Sequence, residues 1–456
     1  MPTRTQFFRL GLLAACAFAG GALTSELARA RTEAESPYHL LDQLARVLVL
    51  IENEYVEPVD RERLLEGTIK GMVAELDPHS AYLPAEDYTI FQGDTEGRFG
   101  GIGVEVDFRD DYVVVIAPIE GSPADRAGIR PGDRIMAIDN VSTRGKSSDA
   151  LVRQMRGASG TKVLLTIKRP GSEKFHYFTL TREVISVASI ASKLLEGGVG
   201  YLRVKTFQTG THAEFVDAVI KLKAKAGGDL SGVILDFRNN PGGLVNEASA
   251  IADECLGSGV IYTTRHRSKI VDEVRSTRDG SLQRGPMVVL VNEYSASAAE
   301  LVAGALQDNR RAPLVGAQTF GKGSVQTIID LPEGAGLRLT TMRYYTPSGR
   351  AIQAQGVKPD IQVAAAYVAD TSFGVVRERD LENHLPAEGP PGSVPAPDAG
   401  ATPTPPADAD AAVAAGEEAT HLGVAREIPA DPTGGPDLAL SIGYQVVRGV
   451  LGKKNK

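Results

Sequence analysis

The stretch MVVLVNEYSASAAELVAGAL, Met287 to Leu306, decides how the chain folds. Met287 to Val291 is an unbroken apolar run after Pro286, rich in β-branched residues, and reads as a buried strand. Ala298 to Leu306 is rich in good helix formers. A strand therefore passes through a sharp turn of small residues into a helix, and Ser297 stands where the helix begins. Ser297 and Glu300 fit S-x-x-E, a capping box that pairs free backbone N–H groups. The same position offers N–H groups and a helix dipole to a developing oxyanion. A short strand-like piece then leads to GAQTFGKGSVQ, Gly316 to Gln326, with Lys322 between two glycines.

The chain on the N-terminal side carries the same alternation. Val199 to Phe207 reads as a strand. Thr211 and Glu214 form a second capping box, opening a helix with Phe215, Val216, Val219, Ile220 and Leu222 inward and Lys221, Lys223 and Lys225 outward. Gly232 to Phe237 is a buried strand, DFRNNPGG (Asp236 to Gly243) a Gly-rich turn, and Leu244 to Leu256 a helix. Alternating strands and helices imply α/β layers. Leu337 to Tyr345 and Gly356 to Val363 read as further strands.

N-x-x-S-A-S-A-x-E from Asn292, followed by G-K-G-x-x-Q from Gly321, resembles the C-terminal processing peptidases, or tail-specific proteases. The resemblance implies Ser297 as nucleophile, Lys322 as general base and Gln326 as the group that orients the lysine. It also implies a core of the crotonase/Clp-protease type, no metal and no cofactor. DFRNNPGG resembles the family's second site element, which places the oxyanion hole at Gly242 or Gly243 together with the N–H of Ala298. Two departures are Ala299, where the family often has a third Ser, and Phe237 in place of Leu. The chemistry is coherent: a serine hydroxyl needs an adjacent base, and burial lowers a lysine pKa until its amine can serve. The stretch LDPHSAYLP, Leu76 to Pro84, also resembles the family. His79 within it reads as a loop or core histidine.

From Gly97 to Glu183 the pattern changes to short alternating strands: Gly103 to Phe108, Tyr112 to Ile116, Arg134 to Ile138, Lys162 to Lys168 and Phe175 to Thr181. SPADRAGIRPGD, Ser122 to Asp133, and a helix over Ser148 to Arg156 lie between them. This region resembles a PDZ domain of the bacterial, circularly permuted type. The resemblance implies that the loop Gly100-Gly101-Ile102-Gly103 captures a peptide C-terminal carboxylate, and that the peptide adds as a strand beside Val104 to Val106. Ile102, Val104, Leu151 and Met155 are candidates for the side-chain pocket, Ile102 first among them; for Leu151 and Met155 the domain core is an equal reading. Arg156 matches an arginine that couples PDZ position to protease activity; the other reading is a surface charge.

The fold expected is thus multidomain α+β, with the PDZ domain inserted before the core and helical segments at both ends. Its 456 residues divide into 1–30, a leader; 31–96, helices; 97–183, the PDZ domain; 184–365, the core; 366–432, a linker; and 433–456, a helix. Arg4 and Arg9 before an apolar run, closed by Ala28-Arg29-Ala30, read as an export signal. An uncleaved anchor and lipidation at Cys16 stand beside that reading. The expected location is the periplasm or cell envelope. Leu40, Leu44, Val47, Leu48, Ile51 and Tyr55 form a helical stripe, as do Leu438, Ile442, Val446 and Val450. The second cannot bury itself alone, so docking on the core or on a second copy is expected. Between them Pro386 to Pro432 is Ala/Pro-rich and reads as disordered.

A net charge of −8 argues against a nucleic-acid partner. Cys16 and Cys255 offer no disulfide framework. The expected partners are proteins with accessible C-termini, a second copy of the chain and, by resemblance, a helical-repeat adaptor. Two other classes compete: a PDZ scaffold on an inactive core, and a crotonase-like acyl-CoA enzyme.

Overall fold

The computed structural model describes residues 37–109, 112–267, 269–277, 279–363, 375–388, 428–435 and 437–449. The expected leader, Cys16, Val450 and most of the expected linker lie outside these residues. The chain divides into two units, Met1–Met72 and Val73–Lys456. The first holds α1 (Pro37–Glu54) and most of α2 (Arg61–Ala74). Arg61 pairs with Glu52 across their connection. Of the expected apolar stripe, Leu40 to Ile51 lie on α1 and Tyr55 just beyond it; Leu40, Leu44, Val47 and Tyr55 are exposed.

The second unit opens with β1 (Ala81–Leu83) and α3 (Ala85–Thr95). A small β domain follows: β2 (Arg98–Gly101), β3 (Val104–Arg109), β4 (Tyr112–Pro118), α4 (Pro123–Arg126), β5 (Arg134–Ile138), β6 (Val141–Ser142), α5 (Ser148–Met155), β7 (Lys162–Lys168), β8 (Phe175–Thr181) and β9 (Glu183–Ser186). Its sheet runs β3-β4-β5-β7-β8, so β3 is an edge strand; β2 pairs separately with β9. Inward residues alternate along the strands, as Val163, Leu165 and Ile167 do on β7, because successive side chains leave opposite faces.

The large domain holds β10 (Ile190–Leu195), β11 (Val199–Val204), α6 (Thr211–Ala226), β12 (Gly232–Asp236), α7 (Val245–Cys255), β13 (Val260–His266), β14 (Lys269–Arg275), β15 (Met287–Val291), α8 (Ala298–Asp308), β16 (Leu314–Gly316), β17 (Ser324–Asp330), β18 (Gly336–Tyr345), β19 (Ile361–Gln362) and the C-terminal α9 (Leu438–Val447). One sheet runs β10-β11-β12-β15-β16-β19 and is parallel from β11 onward. A second, antiparallel sheet joins β1, β18, β13 and β14, with β17 also on β18. Every residue of β12 and β15 is buried, as expected of a sheet covered on both faces. Val289 and Val291 pack with α6, α7 and α8, while Val288 and Leu290 pack with Leu440, Tyr444 and Val447 of α9.

The C-terminal helix therefore docks on its own chain's core. Its most buried residues are Leu440, Tyr444 and Val447; Ile442 and Val446 of the expected stripe are partly buried against the same cluster, and Leu438 is exposed. Gly443 allows the approach: a Cβ there would lie 2.9 Å from Leu290 Cδ2. Three other expectations are corrected. Gly210, in the left-handed region, caps α6, so Thr211 and Glu214 form no capping box. Glu214 instead accepts from Ser189 N, Ser189 Oγ and Ile190 N. Ile220 is exposed, its place in the core being taken by Ala218. The stretch read as linker contains ordered chain, since residues 375–388 pack on the domain.

Burying a side chain such as Tyr444 contributes several kcal/mol, and its hydroxyl donates to Glu196 O at 2.9 Å. Tyr444→Ala is expected to lower the melting temperature of the large domain and to expose α9 to early tryptic cleavage. An unchanged melting curve and digestion pattern would contradict the docking.

Candidate active site

The carboxyl ends of β12, β15 and β16 lie side by side, and the chain leaves each in a turn. In open parallel sheets this is where ligands bind. The turn after β12 and the turn after β15 are laced together. Asn239 N donates to Asn292 Oδ1 at 2.9 Å, Asn292 Nδ2 to Asn239 Oδ1 at 2.6 Å, Ala296 N to Asn240 O at 2.9 Å and Ser295 Oγ to Phe237 O at 2.8 Å. The first Ser of S-A-S is thereby spent on structure. Ser297 is left at the tip with φ 53° and ψ −117°, a conformation that costs a non-glycine residue about 1–3 kcal/mol and marks sites where a side chain must be aimed.

Gly242 lies against that tip: a Cβ on it would be 2.8 Å from Ser297 Cβ and 3.1 Å from Ala298 N. Only glycine fits. The expectation that Gly242 itself donates to an oxyanion is corrected, because its N–H already donates to Asn240 Oδ1 at 2.8 Å. The N–H groups of Gly243 and Ala298 carry no hydrogen bond among those of the described residues.

Glu300 ties this turn to the lysine loop. It is fully buried in the first turn of α8, among Ala298, Ala299, Leu301 and Val302. Its carboxylate accepts from Ser297 N at 2.8 Å, Gly321 N at 2.8 Å, Lys322 N at 2.9 Å and the Thr319 hydroxyl. Burial pushes the carboxyl up to about 8, and the four hydrogen bonds pull the other way. The capping-box reading named this residue but found only one of its bonds. A lone Glu inside an otherwise apolar helix was the signal for the rest.

Lys322 sits in the loop between β16 and β17. Part of its surface remains accessible, yet it lies deep enough in protein for lost hydration to dominate, and its amine is pushed down to about 8. Arg338 pushes the same way, while Glu378, Asp77 and Glu300 oppose. Among the described residues no hydrogen bond joins Gln326 to the lysine amine. Gln326 Nε2 donates to Ser324 Oγ at 2.9 Å and to Thr340 Oγ1 at 3.2 Å. Thr340 Oγ1 in turn donates to Asp77 Oδ1 at 3.1 Å. His79 faces Glu378, with Nε2 2.8 Å from Oε2.

In the small domain Ile102, Leu151 and Met155 join one buried cluster with Val104 at its margin. Gly100 and Gly101 are not loop but strand, paired with Val184 and Glu183. The loop narrows to Ile102 and Gly103, whose N–H groups donate to nothing among the described residues. Beside them runs the unpaired edge of β3. Arg156, the cap of α5, places Nη1 2.8 Å from both oxygens of Asp94 on α3 and lies over the Phe99 ring.

Comparison with known proteins places the chain in a family. Residues 198–363 match the family model described as Peptidase family S41, 114–169 that of a PDZ domain, and 14–87 that of the activating protease CtpB N-terminal domain. A carboxy-terminal-processing protease of Bartonella bacilliformis is 42% identical over 332 residues, 72% of this chain and 76% of that protein. A probable CtpA-like serine protease of Staphylococcus aureus is 38% identical over 71% of this chain and 64% of its own length. The solved photosystem II D1 C-terminal processing protease is 32% identical over 68% of this chain and 84% of that one, with a TM-score of 0.45. The chain belongs to the carboxy-terminal-processing proteases of peptidase family S41, and it is a serine-type peptidase carrying a PDZ domain.

Removing the Glu300 carboxylate leaves three N–H groups and a hydroxyl without their acceptor, at about 1–3 kcal/mol for each group that stays buried. Glu300→Ala is expected to accelerate amide hydrogen exchange at Gly321 and Lys322 by about 100-fold or more. Exchange that stays at the wild-type rate would show that Glu300 does not hold the lysine loop.

Proposed function

We propose that this protein is an endopeptidase in which Ser297 attacks the scissile carbonyl and Lys322 takes its proton. The observation that carries the reading is the Glu300 carboxylate, which fastens the Ser297 turn and the Lys322 loop to one point. The serine oxygen bonds to the carbonyl carbon, and the carbonyl oxygen, now negative, turns toward the N–H groups of Gly243 and Ala298. Lys322, protonated by the serine, gives the proton to the leaving amine as the C–N bond breaks. Water, deprotonated by the Lys322 amine, then attacks the ester carbonyl, and the lysine returns the proton to the Ser297 oxygen as the acyl C–O bond breaks. Gln326 acts at one remove, fixing Ser324 and Thr340 under the lysine.

The PDZ domain selects substrates by their C-terminal carboxylate at Ile102 and Gly103, the last residues adding to the β3 edge. Arg156 couples that domain to the core. Its partner Asp94 lies on α3, and Tyr88 of the same helix bonds Asp330 at the end of β17, the strand that begins just past Lys322. We read the core as the crotonase/Clp type, on its parallel sheet with helices, and the PDZ domain as circularly permuted. We also read the protein as exported to the cell envelope, on the sequence of its first 30 residues. The exposed apolar residues of α1 favour pairing with a second copy, and an adaptor of helical repeats fits the same reading.

The test is cleavage of unfolded β-casein by the wild type, Ser297→Ala and Lys322→Ala. Both variants are expected to lose activity by at least about 10³-fold. Cleavage surviving in Ser297→Ala would remove Ser297 as the nucleophile. A neutral amine is required, so kcat/KM is expected to fall about tenfold per pH unit below about 8 and to level off above it. A profile flat across pH 8 would contradict Lys322 as the base.

A further inference from the structure

Residues 375–388 follow β19 and lie beyond the stretch that matches the peptidase family. They return across the lysine loop and grip it on both sides of Lys322. Arg377 Nη1 donates to the carbonyl oxygens of Gln318 at 3.1 Å and Thr319 at 2.9 Å. Glu378 N donates to Phe320 O at 3.3 Å. Beyond the lysine, Gly323 N donates to Gln353 Oε1 at 3.0 Å, and Gln353 Nε2 donates to Glu378 Oε1 at 2.7 Å. The other Glu378 oxygen faces His79 Nε2 at 2.8 Å. The Glu378 side chain is fully buried. Further along, Glu388 accepts from Arg343 at 3.0 Å and from the Tyr345 hydroxyl.

Burying a carboxylate is costly unless it is paired and hydrogen-bonded. Among the described residues it belongs to no metal-like cluster of His, Cys, Asp and Glu, and it opens only a single 3-10 turn, Glu378–Asp380. What it adjoins is the loop that carries Lys322. We propose that residues 375–388 are a strap over that loop and that Glu378 is a positioning residue for Lys322, holding the loop in place and supplying the negative charge that balances the burial of the amine. The proposal rests on the Ser297–Lys322 reading. A lysine that first accepts a proton and then returns it to a leaving group works best when its two forms are close in free energy at the working pH. Burial and Arg338 disfavour the ammonium; Glu378, Asp77 and Glu300 favour it. Of the three carboxylates, Glu300 is occupied by backbone N–H groups of the same loop, and Asp77 by His79 N, Ser80 and Thr340. His79 is kept below its ordinary pKa mainly by burial, so it does not neutralise Glu378 at working pH.

The experiment follows the rate at which a peptidyl diphenyl phosphonate inactivates the full-length protein as a function of pH. In Glu378→Gln the acid limb of the profile is expected to move to lower pH by about one unit, with a reduced plateau. In Glu378→Asp the charge remains, so the limb is expected to stay while the plateau falls. In Gln353→Leu the link to Gly323 is cut with all charges kept, and again only the plateau should fall. A Glu378→Gln limb that coincides with the wild type overturns the charge role. A Gln353→Leu plateau equal to the wild type overturns the strap. Lys322→Ala separates the two readings: if it retains the wild-type profile, the base assignment fails, whatever the Glu378 variants do.

Discussion

Everything in the site depends on one buried carboxylate. Glu300 accepts from the backbone of Ser297, Gly321 and Lys322 and from the Thr319 hydroxyl. These residues leave two different strands, and besides Glu300 the turns are joined by Phe320 N donating to Ser295 O at 3.1 Å. Burial disfavours the charge on this group and its four donors oppose that; held by all four, it becomes the fixed point about which both turns are ordered. Its cost is thus recovered as geometry, and the strained backbone at Ser297 persists because the surrounding bonds over-determine it.

The parallel sheet explains why the turns meet. Pairing of β12 with β15 and of β15 with β16 sets their carboxyl ends level, and packing on both faces leaves no freedom to slide. The helix α9, far away in sequence, completes one of those faces. Its cap Asp437 also holds Arg238 at 2.8 Å, and Arg238 in turn pairs with buried Asp236 at the head of the Gly-rich turn. Burial works against the Asp236 carboxylate, and Arg238 outweighs it, keeping the group ionised. The C-terminal helix therefore supports the Gly-rich turn, while residues 375–388 hold the loop that carries Lys322.

Much of this was legible in the sequence wherever the signal was local. The strand–turn–helix around Ser297, the strands of the small domain and the helix after the Gly-rich turn all follow from periodicity and turn chemistry, and three strands of the small domain match residue for residue. What escaped was set by partners distant in the chain. His79 and Glu378 are 299 residues apart, and neither pattern nor propensity links them. Glu214 fits a capping box by spacing, yet Gly210 in the left-handed region takes the cap and frees the carboxylate for Ser189. The Gly242 amide looked available because only the fold shows Asn240 occupying it. The strap gave no periodic signal, since it is held mainly by polar bonds to residues distant in the chain.

The most direct measurement of the central claim is the titration of the Lys322 amine, followed by NMR of 13C-labelled lysines, with Lys322→Arg assigning the signal. The account predicts a midpoint near 8, moved down by burial and Arg338 and held from falling further by the carboxylates around it. A midpoint in the ordinary lysine range, near 10.5, would mean that the amine is charged at working pH and cannot serve as the base for Ser297.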